Sequence, residues 1–152
     1  MHECCGFTCE LKGDRAFGKL KTLITQRFKL PGGDRQGEVE VDVECQNRFT
    51  YLLEKDAKGD WKCAYYKVFY EKDKMIPVDP RKVPWLDDDK LESMPYGYRY
   101  LGYCQAQLGH TVLKDLPEAK GDRSDRLYLA HIAWLEGKGR GELDGLLKIE
   151  RD

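Results

Sequence analysis

No two of the six cysteines (Cys4, Cys5, Cys9, Cys45, Cys63 and Cys104) are separated by two residues, which excludes zinc-ribbon and Cys-x-x-Cys redox chemistry. No apolar run approaches the roughly 20 residues of a membrane-spanning helix. Glu3, Glu10, Lys12 and Asp14 interrupt any apolar core over 1–30, so no signal peptide is expected. These two absences give the expectation of a cytoplasmic protein with reduced thiols rather than disulfides. Charge of one sign is also missing. Lys plus Arg number 26 and Asp plus Glu 27, a net charge of −1, so there is no bulk field for nucleic acid or for an anionic membrane. His2, Cys4, Cys5 and Cys9 cluster near the start of the chain. Neighbouring residues of a strand point to opposite faces, which suits a tetrahedral ion poorly, so no metal is expected. Repeats, low-complexity tracts and phosphate-binding glycine loops are absent as well, and no cofactor is expected.

What remains is 152 residues, 41% hydrophobic and 35% charged, enough for one domain with a modest core. Phe7, Cys9 and Leu11 alternate with Thr8, Glu10 and Lys12, the period of a half-buried strand. Gly13-Asp14 is a turn, 16–30 is a long β-type run, and Pro31-Gly32-Gly33-Asp34 with Gly37 is a loop. Val39, Val41, Val43 and Cys45 then alternate strictly with acidic residues. If that period continues, Asn47, Phe49, Tyr51 and Leu53 share the apolar face. Lys58-Gly59-Asp60 closes a hairpin onto a partner strand over 61–76. Pro77, Pro80 and Pro84 end the sheet. A short acidic helical turn is expected over 86–94, a helix over 96–108 stopped by Gly109, and another over 124–136. That last helix is expected to be capped by Asp122 or Ser124, to carry a stripe of Leu127, Ala130 and Trp134, and to end at Gly137. His131 is assigned to its polar face, and His110, just after a helix stop, to an exposed position or to capping the last carbonyls. The glycines of 137–141 read as a mobile linker to a last segment over 143–149. The fold class is α+β: a curved, mainly antiparallel sheet over 1–77, a helical extension over 78–136 packing on it, and a Gly-rich tail over 137–152.

Glu-Leu-Lys-Gly-Asp-Arg-Ala over 10–16, a long strand, Asn-Arg-Phe-Thr-Tyr-Leu-Leu-Glu-Lys over 47–55, then Gly59-Asp60-Trp61 form an ordered set. This order resembles the SnoaL-like and scytalone-dehydratase-like members of the nuclear transport factor 2 superfamily, over about half the chain. The resemblance implies a cone-like sheet around a pocket. It also implies a cofactor-independent cyclase, isomerase or dehydratase acting on a polyketide-like or other secondary metabolite. His2, followed by Gly6, Thr8 and Glu10, stands where such dehydratases place a catalytic histidine. Their second catalytic histidine, on the next long strand, has no match between Phe17 and Phe28, and the sheet begins almost at Met1, without the family's preceding helices.

The chemistry requires a base beside a substrate carbonyl and a donor for the resulting enolate, inside an apolar cavity. His2 is the expected base, with Tyr51 and Asn47 as donors by strand parity. Phe49, Tyr66 and Trp61 are the expected pocket residues. The partner is a small hydrophobic substrate, with a homodimer expected because an uncovered sheet face would expose apolar area. The rival reading is a non-catalytic or truncated SnoaL-like protein that binds a ligand or dimerises. Tyr96, Tyr98, Tyr100 and Tyr103 are read as docking a helix onto the sheet.

Overall fold

The computed structural model describes residues 1–33 and 37–147. Asp34 of the expected loop and Ile149 of the expected last segment lie outside the described residues. The chain is α+β. Four strands, β1 (His2–Lys12), β2 (Arg15–Pro31), β3 (Glu38–Lys55) and β4 (Trp61–Pro77), precede four helices, α1 (Asp88–Glu92), α2 (Arg99–Gln107), α3 (Asp122–Leu135) and α4 (Arg140–Leu147). The strands form one antiparallel sheet in the order β1-β2-β3-β4. Its first and last hairpins close where glycines supply the left-handed backbone, Gly13 at φ +61° and Gly59 at φ +86°. At the second, the Asp56 carboxylate accepts from the backbone N–H of Lys58 at 2.9 Å and of Asp60 at 3.0 Å.

The described chain divides into two compact units, and all four strands contribute residues to both. The first unit comprises residues 1–3, 23–47 and 70–114. Its core joins Phe28, Leu30, Val39, Val41 and Val43 of the sheet to Met94, Tyr103 and Cys104. The three valines have no exposed surface, and burying each is worth roughly 1.5–3 kcal/mol. Tyr103 of α2 lies in this core with Tyr100 packed against it, and the Tyr98 ring meets Tyr70 of β4 at 4.8 Å, as expected for tyrosines that dock a helix on the sheet, whereas Tyr96 is 70% exposed. The Tyr98 hydroxyl donates to the Leu113 carbonyl at 2.7 Å, and the Tyr103 hydroxyl accepts from the Asp87 N–H at 3.0 Å. Asp87 also caps α1, its side chain accepting from the Lys90 N–H. Gly109, at φ +83°, ends α2.

The second unit comprises residues 4–22, 48–69 and those from 115 onward. Its core gathers Phe17, Leu52 and Phe69 of the sheet with Leu127, Ala130 and Trp134 of α3 and Leu143 of α4. Trp134 is fully buried, and its indole N–H donates to the Leu53 carbonyl at 3.0 Å. Arg15 stacks over that indole at 4.1 Å and donates to the carbonyls of Trp134 and Lys138. It thereby satisfies acceptors that the end of α3 leaves over.

Four local expectations give way to long-range packing. β1 is exposed along its whole length instead of half-buried, because neither core draws on it among the described residues. In β3 the buried positions are odd from Val39 to Asn47 and then even, Thr50 and Leu52, with Phe49, Tyr51 and Leu53 only half-buried. The change occurs where β3 passes from residues packed with α2 to residues packed with α3. Helix α3 has Gly121 at its N-cap, with no side-chain cap from Asp122 or Ser124. Ser124 instead donates to the Glu118 carbonyl at 2.6 Å. The expected linker over 137–141 contains the start of α4, held by Glu142, which accepts from the Gly139 N–H at 2.7 Å, and by the buried Leu143.

Candidate acid/base site

The second unit builds a polar constellation inside an aromatic wall. Helical spacing puts Tyr128 and His131 one turn apart on α3. β2 contributes Phe17, β3 Arg48 and β4 Phe69. His131, assigned by sequence to a polar face, is 3% exposed. Its ring stacks on Phe17 with centroids 4.2 Å apart and an interplanar angle of 25°. Phe69 and Tyr128 meet it edge-on at 6.3 Å and 5.5 Å. The imidazole Nδ1 is buried and has no hydrogen-bond partner. Burial, and secondarily the positive charge of Lys19, push the His131 pKa down to about 4, so the ring is neutral at physiological pH. The Lys19 ammonium lies 5.4 Å over the Phe17 ring.

The Tyr128 hydroxyl accepts a charge-assisted hydrogen bond from Arg48 Nη1. The Arg48 guanidinium also lies 5.6 Å from the Phe69 ring centre and 5.7 Å from that of Tyr128. Because the phenol oxygen accepts from Arg48, its own O–H remains able to donate. A neutral imidazole beside a cation-supported hydroxyl, in apolar surroundings, is the minimum set for moving a proton next to a carbonyl.

The first unit holds a different cluster. Asp73 of β4 accepts from the Leu101 N–H at 2.8 Å, at the start of α2, where Tyr98 supplies no side-chain cap. Burial raises its pKa to about 6, against the opposing pull of the Leu101, Tyr100 and Arg99 backbone N–H groups. The thiols of Cys45 and Cys104 are pushed up to about 12, by burial first and by Asp73 second. With Leu23, Glu44, Gln46, Lys72 and Lys74, Asp73 lines a shallow pocket of about 200 Å³. Its carboxylate acts first as a cap for α2.

The chain matches no family model. It is similar to fungal proteins. It is 42% identical over 148 residues to pea pathogenicity protein 2 of Fusarium vanettenii. It is 41% identical over 152 residues to an uncharacterized protein of Emericella nidulans, and 39% identical over 148 to a PEP2-like protein of Fusarium vanettenii. Each alignment covers 91% of this chain, and the chain spans about three fifths of these curated relatives, 60%, 61% and 60% in turn.

The six residues singled out by sequence are divided between the two units. His2 and Asn47 fall in the first, Tyr51, Phe49, Tyr66 and Trp61 in the second. His2 is exposed on β1. Asn47 is buried, but its amide is engaged locally. Nδ2 donates to the Cys45 carbonyl at 2.8 Å, and Oδ1 accepts from the Cys45 thiol at 3.6 Å. Tyr51 is half-buried, and its pKa is raised by burial, then by Cys63 and Tyr66. Phe49 is half-buried, whereas Tyr66 and Trp61 are 63% and 42% exposed. Among the described residues no group of three or more His, Cys, Asp or Glu is placed to hold a metal ion, and no helix is long and apolar enough to cross a membrane.

Sequence reasoning missed His131, Tyr128 and Arg48. The usable signal was the spacing of His131 from Leu127 and Trp134, which puts it beside the apolar stripe of α3.

Proposed function

We propose that this chain supplies the acid/base groups of a cofactor-independent cyclase, isomerase or dehydratase acting on a small, apolar, polyketide-like metabolite. His131 takes the proton next to a carbonyl, and Tyr128, held by Arg48, donates to the oxygen that becomes an enolate. The observation that carries the reading is the buried, neutral imidazole with an unpartnered Nδ1 among Phe17, Phe69 and Tyr128. Burial makes an isolated imidazolium costly. An enolate formed beside it supplies the opposite charge, so the same apolar wall favours the ion pair over either ion alone. The resemblance to SnoaL-like proteins agrees with this chemistry and with a cone-like sheet. It names His2 as the base, but His2 lies on a strand exposed along its whole length.

The test is proton exchange in heavy water with tetralone- and cyclohexenone-type ketones, followed by NMR. Protein-catalysed α-proton exchange that falls by about two to four orders of magnitude in His131→Gln, and is unchanged in His2→Ala, supports the assignment. Loss in His2→Ala with His131→Gln intact transfers the base role to His2. A second reading, a non-catalytic ligand-binding or dimerising protein, is favoured by Asn47, whose amide is turned to Cys45. Binding of these ketones without exchange selects that reading.

A further inference from the structure

We infer that Lys19 is the specificity residue of the His131 site and takes a carboxylate of the substrate, so that the substrate is a ketone carrying an acid group rather than a neutral ketone. This deepens the acid/base reading and rests on it. Lys19 stands two residues from Phe17 on β2, the spacing that puts both side chains on one face of a strand. Its ammonium lies 5.4 Å over the Phe17 ring, and that ring stacks on the buried His131 imidazole. Among the described residues this ammonium makes no ion pair and no hydrogen bond. Lys55, Lys74 and Lys90, by contrast, are each held by a carboxylate, of Asp14, Glu44 and Asp87 in turn. The other cation of the site, Arg48, donates to the Tyr128 hydroxyl. Lys19 is therefore the cation that can receive a ligand's anion.

Two physical arguments favour a carboxylate there. Lys19 is half-buried, with an aromatic ring beneath its ammonium. A cation partly withdrawn from water gains more from an anion than one that is fully solvated. The second argument concerns the base. The charge of Lys19 bears on His131 and opposes protonation of the ring. With a neutral ketone the ammonium therefore weakens the base that the reaction needs. A carboxylate seated on Lys19 cancels that charge at the moment of binding. The acid group of the substrate then acts twice: it anchors the molecule against Phe17, and it restores the proton affinity of His131.

The experiment, at pH 7, compares tetralone with its ring-carboxylated analogue in the heavy-water exchange assay. A second arm needs no turnover and compares naphthoate with its methyl ester, in NMR titrations that follow the rings of His131 and Phe17. The wild-type chain should exchange the keto acid with a kcat/KM about tenfold above that of the ketone, and bind naphthoate about tenfold more tightly than the ester. That factor is the usual scale of one partly solvated hydrogen bond to a charge. Added salt should weaken binding of naphthoate and leave that of the ester, a readout that needs no variant. Lys19→Met should bring both ratios to about one, and Lys19→Arg should keep them. Lys58→Met, an equal loss of charge at the exposed turn between β3 and β4, should leave both ratios at their wild-type values. A naphthoate preference that Lys19→Met abolishes supports the inference even if neither ketone exchanges, a result that sinks the acid/base reading alone. No binding of naphthoate, ratios near one in the wild type, or a preference that survives Lys19→Met overturns the inference, even with His131-dependent exchange intact.

Discussion

His131 ties the candidate site to the pH dependence of stability, with a sign that can be worked through. Its folded pKa, about 4, lies below its ordinary 6.5. A depressed histidine contributes stability that is present above 6.5 and lost as pH falls toward 4, where the unfolded chain binds a proton that the folded chain refuses. At about 1.4 kcal/mol per pH unit the loss amounts to about 3 kcal/mol. Asp73 acts with the opposite sign. Its folded pKa, about 6, lies above its ordinary 3.8, so its contribution is present below 3.8 and lost as pH rises through 6. Asp73 is partly solvated, and discounting for screening leaves about 1–2 kcal/mol. The two groups therefore offset each other between pH 4 and 6.5, with His131 the larger. In urea unfolding, the wild-type chain should lose stability from these groups between pH 7 and 4. His131→Phe should reverse the slope and show the Asp73 gain, whereas Asp73→Asn should steepen the loss. If the two compact units unfold in separate transitions, the His131 effect belongs to one and the Asp73 effect to the other. Below about pH 4 the carboxylates of Asp42, held below its ordinary value by the Arg27 guanidinium, Asp79, held by the Arg81 side chain and N–H, and Asp87, held by the Lys90 N–H and side chain, add their own loss. Curves for wild type and His131→Phe that stay parallel from pH 7 to 4 would refute the burial argument. So would an NMR resonance, absent from His131→Phe, that titrates near 6.5.

Trp134→Ala removes the largest buried side chain and its bond to Leu53, and should cost about 3–5 kcal/mol by chemical denaturation. Gly137→Ala forces a side chain into the left-handed backbone, at φ +89°, that ends α3, and should cost about 1 kcal/mol. Thiol titration of the native protein should label Cys4, Cys5, Cys9 and Cys63 rapidly. Cys45 and Cys104, buried and pushed up to about 12, should react only on unfolding. Arg48→Leu should weaken ketone exchange through Tyr128 without moving the His131 titration below pH 4; a wild-type exchange rate would remove Arg48 from the mechanism.

The elements and their punctuation are legible along the chain. Strict alternation set β3, glycine in the left-handed region set the turns at Gly13 and Gly59 and the stops at Gly109 and Gly137, and the apolar stripe set the buried face of α3. These are local properties, carried by residues within a turn or two of one another. Which of those faces is covered depends on residues brought together from distant parts of the chain. Alternation showed that residues of one parity share a face, but the parity buried after Asn47 depends on Leu127 and Trp134, which lie far along the chain. The same dependence left Phe7 and Leu11 exposed on β1 despite a strand period as clear as that of a half-buried strand. Asp73 reads as one charge among several in β4, and becomes the cap of α2 only because a distant helix end presents its N–H groups there. His131 reads as a polar-face helix residue; the aromatic rings that meet it and leave its Nδ1 unpartnered come mainly from β2 and β4. Burial and pKa are set by the whole set of neighbours in space, and the spacing of residues along one element cannot specify neighbours contributed by others.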